Sequence, residues 1–590
     1  MKQPIREYIK HNTLLLDGAM GTLYATRNPQ RQHACEWGNL LTPAEIEAIH
    51  RSYIEAGSMA IKTNTFSANR PSMGADFQTI IRAGCEIAAK AAGDEAYILA
   101  DIGPIADTKD YNLQEEYRLI VDCFIEQGIT AFQFETFGHD TALHETAAYI
   151  REKQPDAFIC ATFAAQPDGF TPDGMHVKAL LDKASSTGLF DVIGLNCVSG
   201  PWHMKKLLQT LITDNVVYAA MPNAGYPTVR DRRPAYDSDP AYFAMQLADM
   251  QAMGVRLLGG CCGTTPEFIQ AAAQALREKP APKVRYPAEK AESPAVEAPE
   301  NRFWNALCDP DKRPFAVELD PPENAQIEKF MAGARQLRDA GTAIITIADC
   351  PVARARMDSG ILACKLHREL NMPALPHMTC RDRNRNATQA VLLGLCAEGI
   401  QNVLLVTGDP IPTASREEVK SVYNFNSRKL LQYVSALNYA VLTPPMHLFA
   451  ALNLNARNFR IQLELAQQKE ALGAEGFLTQ PVLTQQALDN LILARKTLKS
   501  KILGGIIPIV SHRNALFMNN SISGITVDDG IISMYEDLDR DEAEELAVTL
   551  SSQIARDMAP HIDGYYIITP FNRTQLVTRI MDAIRAEGLA

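Results

Sequence analysis

The chain has 590 residues, of which 46% are hydrophobic and 21% are charged, as is typical of a soluble globular protein. This length exceeds what one hydrophobic core usually serves, so two or more domains are expected. The formal net charge of -12 argues against nucleic acids and anionic membranes as partners. The sequence has no apolar run of about 20 residues, and its charged first residues lack the apolar stretch of a signal peptide. A cytoplasmic location is therefore expected.

Residues 281–300 are rich in Pro, Ala and Glu and poor in large apolar side chains, a composition that predicts an extended linker. The linker would separate an N-terminal domain, residues 1–280, from a C-terminal domain, residues 301–590. The 12 cysteines are scattered over this large chain. In a reducing compartment they indicate core residues, metal ligands or reactive thiols rather than a disulfide framework.

The N-terminal half contains eight short apolar runs that end in polar or glycine-rich turns. Segments with helical apolar spacing lie between them, for example residues 43–55 and 240–250. Eight alternations of strand and helix predict a parallel sheet, and eight strands close a TIM barrel. The runs begin at Leu14, Met59, Ala96, Ala131, Ala157, Asp191, Val216 and Val255.

The C-terminal half repeats this count, so the predicted fold class is α/β, with two (β/α)8 TIM barrels joined by an extended linker. Side chains at the carboxyl ends of barrel strands face the active site. Polar residues that directly follow an apolar run are therefore candidate functional residues in both halves. The runs of this half begin at Phe315, Ala343, Ala374, Asn402, Met446, Gly476, Ile502 and Tyr565.

Three cysteines lie just past strand ends among glycines: Cys197 in GLNCVSG, and Cys261 and Cys262 in GGCCGTTP. Their strands, the sixth and the eighth, both flank the seventh, so the three thiols can converge. Three thiolates with one open position form a catalytic zinc arrangement, in which the ion would also keep a substrate thiol deprotonated. The pair Gly259-Gly260 is expected to allow the tight turn that this needs. Core cysteines or a redox-active vicinal pair are the alternatives.

Four motifs, DGAMGT, FETF, GLNC and GGCCGTTP, resemble in this order the homocysteine S-methyltransferase family, over about residues 10 to 280. The resemblance implies that Cys197, Cys261 and Cys262 are the zinc ligands. It also implies that homocysteine is bound by residues at three strand ends, where a carboxylate suits the substrate ammonium. An alternative for the first of them is capping of the following helix. These residues are Asp17, Glu135 and Asn196.

The C-terminal half has neither a GxGxxG motif nor a Walker A loop, which excludes Rossmann and P-loop nucleotide sites. Glu318 lies between Val317 and Leu319 and precedes two prolines. Burial would raise its pKa and keep it protonated near pH 7, as a general acid requires. A salt-bridged barrel residue is the alternative. The polar residues at the predicted strand ends are Glu318, Asp349, His377, Thr379, Asp409 and Gln480.

The motifs VELDPPEN, PHMTCRDRN, VTGDP and FLTQPV resemble the methylenetetrahydrofolate reductase family, from about Arg302 to the last residue. The resemblance implies a barrel that binds FAD and takes hydride from NAD(P)H. Glu318 would protonate N10 of the folate, and Asp409 and Gln480 would bind the folate. The implied FAD contacts are His377, Thr379, Thr407, Gly408, Asp409 and Lys469.

Two positions depart from the pattern of that family. Thr407 stands where many reductases have Arg, and Ala348 stands where many have Thr. Both positions contact the flavin in relatives, so the details of FAD binding are left open by the resemblance.

The two-barrel layout resembles the bacterial bifunctional homocysteine S-methyltransferase/methylenetetrahydrofolate reductase proteins. The implied activities are consecutive steps of methionine biosynthesis and one-carbon metabolism, and the implied partners are homocysteine, a methyl donor and methylenetetrahydrofolate. The sequence leaves open the choice between NADH and NADPH and whether the chain forms a homo-oligomer.

The methyl donor is the main open point of this interpretation. No cobalamin-binding signature DxHxxG is present. A sulfonium such as S-methylmethionine or S-adenosylmethionine carries its own leaving group and is the favoured donor, with direct use of 5-methyltetrahydrofolate as the alternative. A hypothesis of another class is a zinc or thiol sensor with a vestigial reductase half. Such a sensor would have no use for the acid Glu318.

Overall fold

The computed structural model describes residues 3–30, 33–106, 111–213, 216–230, 233–236, 238–278, 300–411, 420–522 and 524–590. The chain divides into two compact units, Met1–Ser293 and Pro294–Ala590, which are described separately. Apart from Glu300, the predicted linker lies outside the described residues.

The N-terminal unit is a barrel of eight parallel strands in the order β1-β10-β7-β6-β5-β4-β3-β2. A bridge between Leu16 and Ala60 joins β1 to β2 and closes it. A separate antiparallel hairpin is formed by β8 and β9. The strands are β1 Leu14–Leu15, β2 Ala60–Lys62, β3 Tyr97–Ile102, β4 Ala131–Phe137, β5 Phe158–Phe163, β6 Val192–Asn196, β7 Tyr218–Met221, β8 Thr228–Arg230, β9 Arg233–Ala235 and β10 Leu257–Leu258.

The helices of this unit pack around the barrel, except for α1, which precedes the first strand. Ile5 and Ile9 of α1 pack with barrel residues such as Leu14 and Leu99 in one buried cluster, so α1 covers the interior. The helices are α1 Ile5–His11, α2 Met20–Arg27, α3 Gly38–Leu41, α4 Pro43–Glu55, α5 Arg70–Met73, α6 Phe77–Ala92, α7 Leu113–Glu126, α8 Leu143–Lys153, α9 Val177–Thr187, α10 Pro201–Leu211, α11 Pro240–Ala252 and α12 Pro266–Glu278.

The C-terminal unit is a closed barrel whose eight strands pair in chain order, from β11 round to β18. The short helix α13 again precedes the first strand, and its Phe303 and Leu307 pack against residues of the barrel interior such as Phe449. The strands are β11 Phe315–Leu319, β12 Ile344–Ile347, β13 Ala374–Thr379, β14 Asn402–Val406, β15 His447–Leu452, β16 Gly476–Pro481, β17 Lys501–Ile506 and β18 Gly564–Ile568.

In the described part of this unit, ten further helices lie around the barrel. Several of these helices begin at a residue whose side chain accepts hydrogen bonds from the free backbone N–H groups of the first turn. In α22, Asp539 and Glu542 form such a capping box. The helices of the unit are α13 Arg302–Cys308, α14 Glu328–Asp339, α15 Ser359–Leu370, α16 Arg385–Ala397, α17 Ser427–Ala440, α18 Phe459–Ala471, α19 Gln485–Thr497, α20 His512–Ser521, α21 Asp529–Met534, α22 Arg540–Met558 and α23 Thr574–Ala586.

Each of the sixteen predicted runs overlaps a barrel strand, so the prediction of two TIM barrels is confirmed. The sequence interpretation did not anticipate the covering helices α1 and α13, the hairpin of β8 and β9, or the helices α20 and α21 between β17 and β18. Among the described residues, no helix combines the length and the apolar character that crossing a membrane requires.

Candidate active sites

The three candidate zinc ligands meet at the carboxyl end of the N-terminal barrel. Cys197 follows β6, Cys261 and Cys262 follow β10, and their sulfur atoms all lie within 4.8 Å of one another. The Sγ atoms of Cys197 and Cys262 are 3.8 Å apart. Two sulfurs bound tetrahedrally to Zn²⁺ at about 2.3 Å would stand about 3.8 Å apart. The spacing of the sulfurs therefore fits a tetrahedral zinc ion that has three cysteine ligands and one open coordination position.

The backbone around the sulfurs is strained where it turns out of β6. Cys197 and Val198 adopt φ values of 57° and 60°, in the left-handed region that few side chains tolerate. The expectation for Gly259 and Gly260 is corrected, because neither has a positive φ. A Cβ there would lie 2.8 Å from Cβ of Leu16 and 2.4 Å from Oγ1 of Thr264, respectively. The two glycines thus serve close packing rather than an unusual turn.

The pKa values of the three thiols are shifted in different directions. Hydrogen bonds with Cys197 and Cys261 lower the pKa of Cys262, and a hydrogen bond with Tyr236 adds to this effect. The pKa of Cys261 is raised well above its usual value by its hydrogen bonds to the other two sulfurs. Without a metal, the cluster therefore favours a single thiolate at neutral pH. A divalent cation would displace the remaining protons.

A buried charged cluster lies beside the sulfurs. Nζ of Lys62 is 2.8 Å from Oε2 of Glu135 and 4.0 Å from Oδ1 of Asp17. Burial raises the pKa of Asp17 to about 6, although Lys62 counteracts the shift. Burial likewise raises the pKa of Asp101, which acts on Lys62 together with the other two carboxyls and with Cys261. The cluster is complementary to a ligand that carries both an ammonium and a carboxylate.

Lys62 and Asp101 were missed by the sequence interpretation. Both lie within predicted strand runs, MAIKTNTF and AYILADIGP, where a charged residue near the end of an apolar run was the available signal. Tyr236 was also missed. Its ring packs against Gly263, where a Cβ atom would lie only 2.3 Å from Cγ of Tyr236.

Asn196 acts on β4 rather than facing the mouth directly. It is fully buried, its Oδ1 accepts from the backbone N–H of Thr136 at 2.7 Å, and its Nδ2 donates to Oγ1 of Thr136 at 2.7 Å. Thr136 has a φ of 65°, and the register of β4 against β5 shifts between Phe134 and Phe137. Asn196 thus fixes a bulge, a device that re-aims side chains at sites, and Glu135 lies within it.

In the C-terminal barrel, Glu318 faces the interior near the carboxyl end of β11. The hydroxyl of Tyr566 donates a hydrogen bond to Oε2 of Glu318, and Nε2 of His377 lies 3.6 Å from the same oxygen. Burial raises the pKa of Glu318 to about 7, against the lowering effect of Tyr566. Burial also lowers the pKa of His377 to about 4, so this imidazole is neutral at pH 7. Tyr566 was not identified from the sequence.

The candidate flavin residues lie on β13, just after β14 and on α18, and several already have protein partners. Asp349 accepts from the backbone N–H and the hydroxyl of Thr379 at 2.9 Å and 3.0 Å. Gly408 has a φ of 87°, and a Cβ there would lie 2.9 Å from Cβ of Thr379. Nζ of the half-buried Lys469 donates to the carbonyl of Ala451 at 3.0 Å. In this arrangement the Lys469 ammonium is engaged by β15.

The remaining candidates occupy the rim of the barrel. Thr407 and Asp409 are exposed, and Oδ2 of Asp409 accepts from the backbone N–H of Val352 at 2.8 Å. Gln480 lies where the register of β16 against β17 shifts, between Leu478 and Pro481. The second barrel therefore also carries a bulge at a candidate substrate residue.

Family comparisons agree with this division of the chain. The model of the homocysteine S-methyltransferase family matches residues 14–276, and that of the methylenetetrahydrofolate reductase family matches residues 304–585. Each barrel belongs to one of these enzyme families. The chain thus joins a homocysteine S-methyltransferase domain to a methylenetetrahydrofolate reductase domain.

Similar proteins include the methionine synthase of Mycobacterium leprae, 30% identical over 46% of this chain and 25% of that protein. The methionine synthase of Mycobacterium tuberculosis is 30% identical over 48% of this chain and 26% of that protein. The chain thus spans about a quarter of these relatives. The S-methylmethionine–homocysteine S-methyltransferase BHMT2 of Mus musculus is 26% identical over 48% of this chain and 85% of that protein.

Among solved structures, the oxidised form of the Escherichia coli homocysteine methyltransferase MmuM is similar, with 24% identity and a TM-score of 0.37. The similarity covers 47% of this chain and 100% of that one. Its metallated form has 22% identity, the same TM-score of 0.37, and coverage of 46% and 99%.

Proposed function

We propose that the chain catalyses two reactions of one-carbon metabolism: methylation of homocysteine to methionine, and reduction of 5,10-methylenetetrahydrofolate to 5-methyltetrahydrofolate with NAD(P)H. For the N-terminal barrel, the convergence of three sulfurs within 4.8 Å carries the proposal. For the C-terminal barrel, it is carried by Glu318, whose side chain is only 14% exposed, accepts a hydrogen bond from Tyr566 and has a pKa raised to about 7 by burial. Membership of the two families supports both activities.

In the first reaction, Cys197, Cys261 and Cys262 would hold Zn²⁺ as three thiolates, which would leave one position for the substrate sulfur. The bound ion supplies the Lewis acidity that keeps a thiol deprotonated near neutral pH. The three cysteine thiolates add negative charge around the substrate sulfur, which preserves its nucleophilicity. Tyr236 contacts Cys262 and so helps to orient that ligand.

The amino-acid part of homocysteine fits the charged cluster beside the sulfurs. Its ammonium is complementary to Asp17 and Glu135, and its carboxylate to the Lys62 ammonium. Oδ1 of Asp17 and Oδ1 of Asp101 are buried without a hydrogen-bond partner, as expected of groups that await a ligand. Asn196 contributes by holding the bulge that carries Glu135.

A sulfonium, S-methylmethionine or S-adenosylmethionine, is the proposed methyl donor. Its sulfur leaves as a neutral thioether, whereas the amine nitrogen of 5-methyltetrahydrofolate leaves poorly without prior activation. The similarity to the mouse protein named S-methylmethionine–homocysteine S-methyltransferase BHMT2 supports this choice. Direct use of 5-methyltetrahydrofolate is the alternative.

In the second reaction, Glu318 is the general acid that protonates N10 of the folate and opens the five-membered ring. A pKa of about 7 keeps much of it protonated at neutral pH while leaving it strong enough to give up the proton. The neutral His377, 3.6 Å away, does not compete for that proton, because its own pKa is about 4. Gln480 on the β16 bulge and Asp409 on the rim are the proposed folate contacts.

FAD, when bound, supplies the hydride chemistry of this barrel. The mouth fits such a group, because Nε2 of His377 and the hydroxyl of Thr569 are buried without hydrogen-bond partners. His377, Thr379, Thr407, Gly408 and Asp409 are the proposed flavin contacts. Lys469 joins them if its ammonium exchanges the Ala451 carbonyl for a phosphate.

The proposal is tested on the purified full-length protein with two measurements. Elemental analysis and flavin absorbance should give one Zn and one FAD per chain. Homocysteine is then supplied with each candidate donor in turn, and methionine formation is expected with a sulfonium. Methionine from 5-methyltetrahydrofolate alone would establish the alternative donor. Bound zinc with neither activity would favour a sensor instead.

A further inference from the structure

A tyrosine on the last strand of the C-terminal barrel reaches the proposed general acid. Strands β18 and β11 pair in parallel, with Tyr566 opposite Ala316 and Ile568 opposite Glu318. Tyr566 belongs to the cluster that fills the barrel interior and is 7% exposed. Its hydroxyl donates to Oε2 of Glu318 across the two strands.

We propose that Tyr566 is a positioning residue of the folate-reducing site, which orients the Glu318 carboxyl and stabilises the carboxylate left after proton transfer. The inference rests on the proposed reductase function. In the step concerned, the O–H bond of Glu318 breaks and an N–H bond forms at folate N10. The electron pair of the broken bond remains on the carboxylate. Tyr566 keeps its own proton throughout and acts only as a hydrogen-bond donor.

The other groups around Glu318 do not stabilise its carboxylate form. Burial raises the pKa of Glu318 and Asp320 raises it further, whereas Tyr566 lowers it. Asp320 has a raised pKa of its own because it is buried, an effect that Arg356 counteracts. His377 on β13 lies 3.6 Å away but is uncharged at neutral pH. Among the described residues that act on Glu318, Tyr566 is thus the one that favours the ionised form.

This balance matters because a general acid works best when its pKa is near the operating pH. Burial alone would make Glu318 too weak an acid to release its proton readily. The hydrogen bond from Tyr566 becomes stronger as the carboxylate forms, since bonds to ionised acceptors are about twice as strong as neutral ones. The bond therefore stabilises the product of proton transfer more than the reactant.

The adjacent residue provides a matched control. Tyr565 is fully buried, but its hydroxyl donates to the carbonyl of Leu589 at 3.1 Å, outside the barrel interior. Successive strand residues point to opposite faces. Tyr565→Phe therefore removes the same atom from the same strand, on the side away from Glu318.

The direct test is an infrared pH titration of the protonated Glu318 carboxyl in the full-length protein without folate. Glu318→Gln identifies the band. In Tyr566→Phe we expect the midpoint to rise by about one pH unit, the size typical of a lost hydrogen bond to a charged group. Tyr565→Phe should titrate like the wild type. An unchanged midpoint in Tyr566→Phe overturns the inference.

Kinetics provide a second readout. Flavin reduction by NAD(P)H should be unchanged in Tyr566→Phe, which also reports an intact flavin site. Re-oxidation by methylenetetrahydrofolate should slow several-fold, and its pH profile should shift upward with the midpoint. If Tyr566→Phe fails to fold, 3,5-difluorotyrosine at position 566 replaces it; this stronger donor should lower the midpoint.

The proposed role of Glu318 and the proposed role of Tyr566 can be refuted independently. Normal flavin re-oxidation in Glu318→Gln would overturn the proposed role of the acid itself. Slow re-oxidation in Glu318→Gln together with wild-type behaviour of Tyr566→Phe would overturn only the role of Tyr566.

Discussion

The mouth of the N-terminal barrel contains three sulfurs, one lysine and several buried carboxyls, whereas the mouth of the C-terminal barrel centres on one carboxyl between a tyrosine and a neutral histidine. In the proposed methyl transfer, the first site has to hold a substrate thiol in its deprotonated form, and it gathers groups that could bind a cation. In the proposed folate reduction, the second site has to keep a proton available at neutral pH, and its largely buried Glu318 accepts a hydrogen bond from the hydroxyl of Tyr566. One fold thus serves opposite proton chemistry through its strand-end residues.

The two barrels nevertheless share local devices. A short helix before the first strand covers each interior, α1 in one unit and α13 in the other. A register shift also bends one strand in each barrel at a candidate substrate residue, Glu135 in β4 and Gln480 in β16. The covering helix and the strand bulge therefore occur in both barrels, although the side chains at the two candidate sites differ.

The largest expected effect comes from removing a sulfur. Cys261→Ala should lose bound zinc and abolish methionine formation, because two remaining thiolates hold the ion poorly. Flavin content and reductase activity should be unchanged. Elemental analysis and the two assays measure this. Cys123→Ala, at a buried helix position of the same unit, is the control and should keep its zinc. Full zinc content in Cys261→Ala would refute the ligand assignment.

The next effect concerns the acid of the second barrel. Glu318→Gln keeps the size of the side chain but cannot deliver a proton, and loss of general-acid catalysis costs at least about a hundredfold. Stopped-flow absorbance should show flavin reduction by NAD(P)H at a near-normal rate and slow re-oxidation by methylenetetrahydrofolate. In the wild type, re-oxidation should fall as pH rises through about 7, where Glu318 loses its proton. Equal slowing of both half-reactions would mean that Glu318 only supports the flavin site.

A smaller effect is expected at the β4 bulge. Asn196→Ala leaves the backbone N–H of Thr136 without its acceptor and frees the segment that carries Glu135. The KM for homocysteine should rise about tenfold, within the range for a lost buried hydrogen bond. Zinc content should remain normal, and the reductase activity of the same chain is the internal control. An unchanged KM would show that the bulge holds its shape without Asn196.

The last effect is on stability rather than on activity. The pKa of Glu318 is raised from 4.5 to about 7, so its stabilising contribution is present below about pH 4.5 and is lost as pH rises through 7. At pH 8, Glu318→Gln should therefore be more stable than the wild type by on the order of 2 kcal/mol. The difference should shrink towards pH 4. Denaturant unfolding of the C-terminal unit, followed by flavin fluorescence, measures it; a constant difference at all pH values would contradict the assigned pKa.

The barrels were predictable because each strand is a short apolar run bounded by polar or glycine-rich turns. The cysteine positions were predictable for the same reason, since Cys197 and Cys261 directly follow such runs. The strained backbone at Cys197 and the packing that requires Gly259 depend on distant neighbours and left no local pattern.

Residues whose role depends on strand register were missed. Tyr565 and Tyr566 are neighbours in one strand, and the pairing of β18 with β11 determines which of them reaches Glu318. Lys62 gains its role from Glu135, 73 positions away. The helices α1 and α13 are each 7 residues long, too short for periodicity to reveal them.

The central claim is that each barrel carries its own chemistry, and it is tested most directly by a reciprocal measurement on one preparation of each full-length variant. Methionine formation and methylenetetrahydrofolate reduction are both assayed in Cys261→Ala and in Glu318→Gln. We expect Cys261→Ala to lose the first activity and keep the second, and Glu318→Gln to keep the first and lose the second. A single substitution that removes both activities, or neither, would contradict the account.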